Sequence, residues 1–230
     1  TFVGPDDNWL PPDNYQEHPV AVIAHRTSPT NMGLSLLANL SAYDFGYIYS
    51  NELIARTSDA FKTMNLMEKY QGHFYNWYDT RDLHMLEPRY VSTVDSGNLA
   101  GHLLALAQVC REILSRPPLA FSNALTGLAD THQLFMAALA KITDDRRTHT
   151  VTLKEFRQKG VDLGEFLASD PADPDGWSRL WRQLTNCADI LQDMARAYAN
   201  ERGDTGDSEV LAWATLLSDD IRSHARDVDS

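Results

Sequence analysis

The chain has 230 residues, 43% hydrophobic and 23% charged, enough for a sizeable core in one large domain or two small ones. Its formal net charge is −12, and no run of Lys and Arg is long enough to follow a phosphate backbone, so nucleic acid is excluded as an expected partner. No apolar run approaches the roughly 20 residues that span a bilayer, so no direct membrane insertion by this stretch is expected. The chain opens Thr1-Phe2-Val3, without a methionine or the pattern of a signal peptide, and is expected to be a piece of something longer.

Helical periodicity dominates. Ser28-Pro29 reads as a helix start, with Ser as N-cap and Pro in the first turn, followed by Met32, Leu36, Leu37, Leu40 and Tyr43 on one face. Ile54, Phe61, Met64 and Met67 mark a second helix, closed by Gly72. A third opens at Asp95 or Ser96, carries Leu99, Leu103, Leu106, Cys110 and Ile113, and stops before Pro117-Pro118. Phe121, Leu125, Leu128, Phe135, Leu139 and Ile142 form a fourth, very regular stripe. From 143 to 176 the pattern weakens into a peripheral insertion, with Gly160, Gly164 and two Asp-Pro pairs around one short helix near Leu153 to Leu167. A long amphipathic helix follows through Trp177, Leu180, Trp181, Leu184, Leu191, Met194 and Tyr198, ending at Gly203; Val210, Trp213, Leu217 and Ile221 mark the last. Strand signals are confined to Phe74–Tyr78 and Tyr90–Val94. The expectation is one all-α region over 1–230 built of antiparallel helical hairpins.

Chemistry concentrates in two stretches. Gly72-His73-Phe74-Tyr75-Asn76-Trp77-Tyr78-Asp79-Thr80 and Val94-Asp95-Ser96-Gly97-Asn98-Leu99 combine aromatics with short carboxylates and amides. Aromatic faces stack on pyranose rings, and Asp and Asn bond to hydroxyls, so Asn76, Trp77, Tyr78 and Asn98 suit an uncharged, OH-covered sugar. A core role for the aromatics, with Asp95 capping a helix, fits the same pattern. Trp9, Asp13 and Asn14 lie in a proline-stiffened segment that forms either a strap over the core or a wall of a sugar groove. His25, Arg26 and Asn31 surround a helix N-terminus, which favours oxygen-rich ligands. Arg26 and Arg81 are each placed to hold a carboxylate ionised or to donate twice to sugar hydroxyls, or else to form a surface ion pair.

Cys110 and Cys187 each fall on a helix's apolar face and are expected to be buried free thiols, and His102 and His132 to be core residues. The sequence has no zinc-ligand spacing, P-loop, dinucleotide fingerprint or nucleophile elbow, so no metal or organic cofactor is expected.

Four motifs in order carry a family resemblance: Trp9-Leu10-Pro11-Pro12-Asp13-Asn14, His25-Arg26-Thr27-Ser28-Pro29-Thr30-Asn31, His73-Phe74-Tyr75-Asn76-Trp77-Tyr78-Asp79-Thr80 and Val94-Asp95-Ser96-Gly97-Asn98-Leu99-Ala100. They resemble the central, glycoamylase-like region of bacterial cyclic β-1,2-glucan synthases, in its N-terminal half. The resemblance implies an (α/α)6 toroid of which these hairpins form part. It further implies a β-1,2-glucan substrate for transglycosylation and cyclisation, with the remaining domains of a membrane-bound parent as partners. The implied location is the cytoplasmic side of the inner membrane. Glycosyl transfer normally uses two carboxyl groups flanking the bond; Asp79 and Asp95 are the candidates here, as catalytic groups or as substrate-binding ones. A half-toroid alone is expected to be inactive and to dimerise through uncovered helix faces. A non-catalytic glucan-binding module or an interdomain scaffold is the alternative.

Overall fold

A computed structural model of the protein describes residues 2–115, 121–142, 151–203 and 208–228. The fold is all-α, with seven α-helices among the described residues and six two-residue strands. The chain, read from sequence as one region, divides into two compact units: Thr1–Tyr43 with Ser50–Pro118, and Asp44–Tyr49 with Leu119–Ser230.

In the first unit, three helices carry a small amount of β-structure. Helix α1 (Pro29–Asp44) starts where the sequence indicates, with the Ser28 hydroxyl accepting from the Asn31 amide at 3.3 Å. Helix α2 (Ser50–Leu66) buries Leu53, Ala60, Thr63 and Met64. Ile54 was expected on that inner face but is 61% exposed, because Leu53 takes the inward position. Gly72 does not close this helix; at φ 86° it follows Gln71 at φ 49° in the two-residue turn between β4 (Lys69–Tyr70) and β5 (His73–Phe74). Helix α3 (Thr93–Ser115) begins two residues before the expected Asp95, because Ser92 is its cap: the Ser92 hydroxyl accepts from the Asp95 amide at 3.1 Å. The β-prone Tyr90–Val94 segment therefore ends as a helix start and forms no strand.

Two further strand pairs fix the motif segments. β1 (Tyr15–Gln16) pairs with β2 (Val22–Ile23), and β3 (Arg26–Thr27) with β6 (Tyr78–Asp79), all antiparallel, with Arg26 opposite Asp79 and Thr27 opposite Tyr78. The other edge of residues 76–79 takes backbone bonds from 83–90, including Leu86 N to Trp77 O at 2.9 Å and Asn76 N to Tyr90 O at 2.9 Å. Residues 76–79 thus form the middle of a small, three-segment ribbon.

The second unit holds α4 (Phe121–Ala140), α5 (Leu153–Leu167), α6 (Pro174–Arg202) and α7 (Glu209–Val228). Each helix packs on two others: α4 on α5 and α7, and α6 on α5 and α7. Leu128, Phe135, Phe156, Leu163, Leu184, Leu191, Leu217 and Ile221 fill the common core, at 0–1% exposure. The stretch expected as peripheral supplies α5, with the anticipated bounds, and its Phe156 and Leu163 lie in that core. Residues 143–150 of that stretch, and the Pro117-Pro118 stop, lie outside the described residues. A reciprocal cap opens α5: Thr152 Oγ1 accepts from the Glu155 amide at 3.2 Å, and Glu155 Oε2 from the Thr152 amide at 3.3 Å. Gly203, left-handed at φ 69°, closes α6 as the sequence indicates.

Both cysteines are free, but only Cys187 is buried, and burial pushes its thiol up; Cys110 is exposed, contrary to expectation. His132 is a satisfied packing residue, its Nε2 at 2.7 Å from the Gly160 carbonyl, and burial draws its pKa down against that hydrogen bond. His102 packs against Gly33, and its Nδ1 has no hydrogen-bond partner among the described residues.

Candidate functional site

All the candidate residues lie in the first unit, and the β3–β6 pairing brings most of them together. Arg26 projects from β3 beside Asp13. Its Nη2 and Nε donate to Asp13 Oδ2 at 2.9 and 3.1 Å, while Asn31 Nδ2 donates to Asp13 Oδ1 at 3.3 Å. The Arg26 guanidinium also lies 4.8 Å from the Trp77 ring centroid, a cation–π arrangement that covers one side of the indole. Asn14 is exposed, its amide donating to Asp13 at 3.4 Å.

A second cluster adjoins through Trp77. With the Asn76 amide oriented by its hydrogen-bond network, Nδ2 donates to Asp95 Oδ2 at 3.1 Å, and Oδ1 accepts from the Tyr90 hydroxyl at 2.7 Å and from Trp77 Nε1 at 2.5 Å. The other Asp95 oxygen accepts from Thr30 Oγ1 at 2.6 Å, and Asn98 Nδ2 donates to that same hydroxyl at 3.1 Å. Thr30 lies in the first turn of α1 and Asp95 in the first turn of α3, so two helix starts meet at one carboxylate. Burial acts to raise the Asp95 pKa, but hydrogen bonds from Ser92, Thr30 and Ser28 outweigh it and hold the carboxyl below its ordinary value.

Asp79 belongs to a third group. Arg81 clasps it through Nε at 3.2 Å, Nη2 at 3.0 Å and the backbone amide at 2.9 Å, and the Arg81 side chain lowers the Asp79 pKa. Both candidate carboxyl groups are therefore stabilised as anions. A general acid at neutral pH needs the opposite shift. The arrangement suits accepting hydrogen bonds from hydroxyls and fixing a substrate's orientation.

The remaining candidates divide. His25 Nδ1 lies 2.7 Å from Asp7 Oδ1, a buried carboxylate that also accepts from the Thr80 hydroxyl; this unit supports the ribbon from behind. Tyr78 is fully buried, with its hydroxyl donating to the Glu68 carbonyl at 2.6 Å and accepting from the Tyr75 amide at 2.8 Å. Burial pushes its pKa up to about 12. Its ring is core, so the expected sugar contact by Tyr78 gives way to a packing role. Trp9 is half-buried and joins none of these clusters among the described residues.

Three participants escaped the sequence reading: Asp7, Thr30 and Tyr90. Thr30 lies inside a quoted motif and reads as an ordinary first-turn residue, while Tyr90 reads only as β-prone. Their roles arise from pairings across the fold. Among the described residues no group of three or more His, Cys, Asp or Glu side chains is placed to hold a metal ion. No described helix is long and apolar enough to cross a membrane.

No family model matches the chain. Over 229 residues, 98% of its length, it is 38% identical to the cyclic beta-(1,2)-glucan synthase NdvB of Rhizobium meliloti (strain 1021), and it spans 8% of that relative's length. The resemblance carried by the four motifs is thereby borne out: along nearly its whole length the chain is related to a segment of a bacterial cyclic β-1,2-glucan synthase.

Proposed function

We propose that the first unit binds β-1,2-glucan as part of a cyclic β-1,2-glucan synthase, positioning the chain for transglycosylation and ring closure. The observation that carries this reading is the linkage of all four motif segments through Trp77: Arg26, which holds Asp13, lies over its ring, and Asn76, which holds Asp95, accepts from its Nε1. A half-exposed aromatic ring, fixed carboxylate acceptors and amide and guanidinium donors are what an uncharged polyhydroxylated ligand needs. The relative's activity supports the choice of glucan.

The ionised state of Asp79 and Asp95 favours a binding and orienting role for both, with proton donation supplied from elsewhere in the parent. The helices belong in this reading to an (α/α)6 toroid held on the cytoplasmic side of the inner membrane by the rest of the synthase. Exposed apolar side chains on α3, Leu104 and Leu114 among them, support association with a second copy.

Calorimetric titration of the chain with linear β-1,2-glucan, with a β-1,4-glucan of equal length as control, tests the reading. Selective binding without turnover by chromatography is expected. Failure to bind either glucan would leave the interdomain scaffold as the better description.

A further inference from the structure

The groove between α6 and α7 lies in the second unit and takes no part in the site above. It encloses about 510 Å³, and its lining includes Trp181, Arg182, Asn186, Asp189, Arg222 and Arg226. The volume exceeds what a bare inorganic ion fills and falls within the roughly 300–1,000 Å³ of small-molecule sites.

Its charge runs against the rest of the chain. The chain has 32 acidic residues against 20 basic ones, and Arg26, Arg56, Arg81, Arg89 and Arg196 each take a carboxylate partner. Arg182 instead donates through Nε to the Ser178 carbonyl at 3.2 Å, and Arg226 through Nη2 to Ser223 Oγ at 3.0 Å. Among the described residues neither has a carboxylate in ion-pair range. Asp189, the one acidic residue in the lining among the described residues, is neutralised by Arg222 at 2.6 and 3.1 Å. Two guanidinium groups with no carboxylate partner among the described residues therefore line one concavity.

Trp181, only 3% exposed, backs the groove wall as part of the hydrophobic core. The indole is held by stacking on His224, with centroids 6.1 Å apart. The groove is thus rich in donors and short of free acceptors, the chemistry that receives an oxyanion, and arginine forks match phosphate geometry.

We propose that the α6–α7 groove is a binding site for a phosphate ester, with the phosphoryl oxygens held by Arg182 and Arg226 and the organic part resting along Thr185 and Asn186. Phosphate esters come as soluble molecules or as phospholipid headgroups, and the test separates them. The 230-residue chain is titrated calorimetrically with phenyl phosphate and with glycerol 3-phosphate, and assayed for co-sedimentation with phosphatidylglycerol–phosphatidylcholine vesicles against pure phosphatidylcholine. Saturable binding is expected, weakened by about tenfold in each of Arg182→Gln and Arg226→Gln, as loss of a charge-assisted pair implies. Far-UV circular dichroism and melting confirm that each variant is folded; if one is not, the other carries the test. Binding to anionic vesicles alone makes the ligand a lipid headgroup, and binding of the soluble esters alone makes it a soluble phosphate ester. No binding by any probe, or binding that two folded variants leave unchanged, overturns the proposal.

Discussion

Arg26 and Asp79 stand directly opposite each other across the β3–β6 ladder, yet each gives its charge to a different partner: Arg26 to Asp13 and Asp79 to Arg81. Opposite residues on an antiparallel pair share a face, so two ion pairs of alternating sign lie side by side along one rim. An alternating row of this kind offers fixed donors and acceptors without net charge, which suits hydroxyl recognition.

Replacing Arg26 with Ala removes the fork on Asp13 and the cation over Trp77 together. Affinity for linear β-1,2-glucan is expected to fall by about 1.5–3 kcal/mol, the scale of a hydrogen bond to a charged group. Because an exposed ion pair contributes only about 0–1 kcal/mol to folding, the melting temperature should change little. A large fall in melting temperature with unchanged affinity would make Arg26 a structural residue.

Trp77 separates stacking from hydrogen bonding. Trp77→Ala should weaken glucan binding by about 1–3 kcal/mol through loss of a large apolar face. Trp77→Phe keeps a face and removes the Nε1 donor to Asn76, so it should retain most of the affinity. Equal losses in the two variants by calorimetry would show that the indole N–H, through Asn76, is what matters.

Asp95 makes an acid-sensitive contribution to stability. Its carboxyl is held below the ordinary value of about 3.9, so the unfolded chain binds protons more readily in that window. The contribution is present above the unfolded pKa and is lost as pH falls through the folded one. Asp95→Asn, which cannot ionise, should melt lower than the wild type at neutral pH and show a flatter acid limb. Melting temperature measured between about pH 3 and 6 checks this; parallel curves for the two proteins would contradict it.

A backbone contact in the second unit gives a sharper stability test. A Cβ at Gly127 of α4 would stand 2.3 Å from the Gly46 carbonyl oxygen and 2.4 Å from its carbon, and neither is a flexible side-chain end. Gly127→Ala should therefore cost about 1–3 kcal/mol, the range of overpacking. Gly101→Ala in α3, with nothing within 4 Å, should instead stabilise by about 0.5–1 kcal/mol through helix propensity. Urea denaturation of both variants provides the comparison.

Features set by neighbours in sequence were the legible ones. Ser28-Pro29, Gly203 and the 153–167 periodicity each mark a helix boundary through local capping or patterning, and the structure puts those boundaries there. Features set by distant neighbours were not. Gly160 and Gly164 read as a weakening helix, whereas they let α5 approach Met136 and His132 of α4. Tyr78 reads as one aromatic in a sugar motif, and only its pairing with Thr27 shows that its face turns inward. Cys110 follows the apolar period of α3 yet is exposed, since periodicity identifies a stripe and not what covers it. The candidate site was legible as a set of segments; its internal wiring through Thr30, Asn76 and Tyr90 was not.

Asn8 and Trp9 both adopt left-handed backbone angles, φ 51° and 61°, and such angles at two successive non-glycine residues persist only where the surroundings over-determine them. Here the Asn8 amide donates to the Thr80 and Arg81 carbonyls at 2.8 and 2.9 Å, and its own carbonyl accepts from Thr63 at 2.8 Å. Segments more than seventy positions apart in the chain are thus mechanically one piece. Backbone amides of residues 7–10 and 79–83 should exchange their hydrogens in step, and Asn8→Ala should release both together. A sugar that grips only the Trp77 end would then also quiet the proline-rich opening segment, far along the sequence from where it sits.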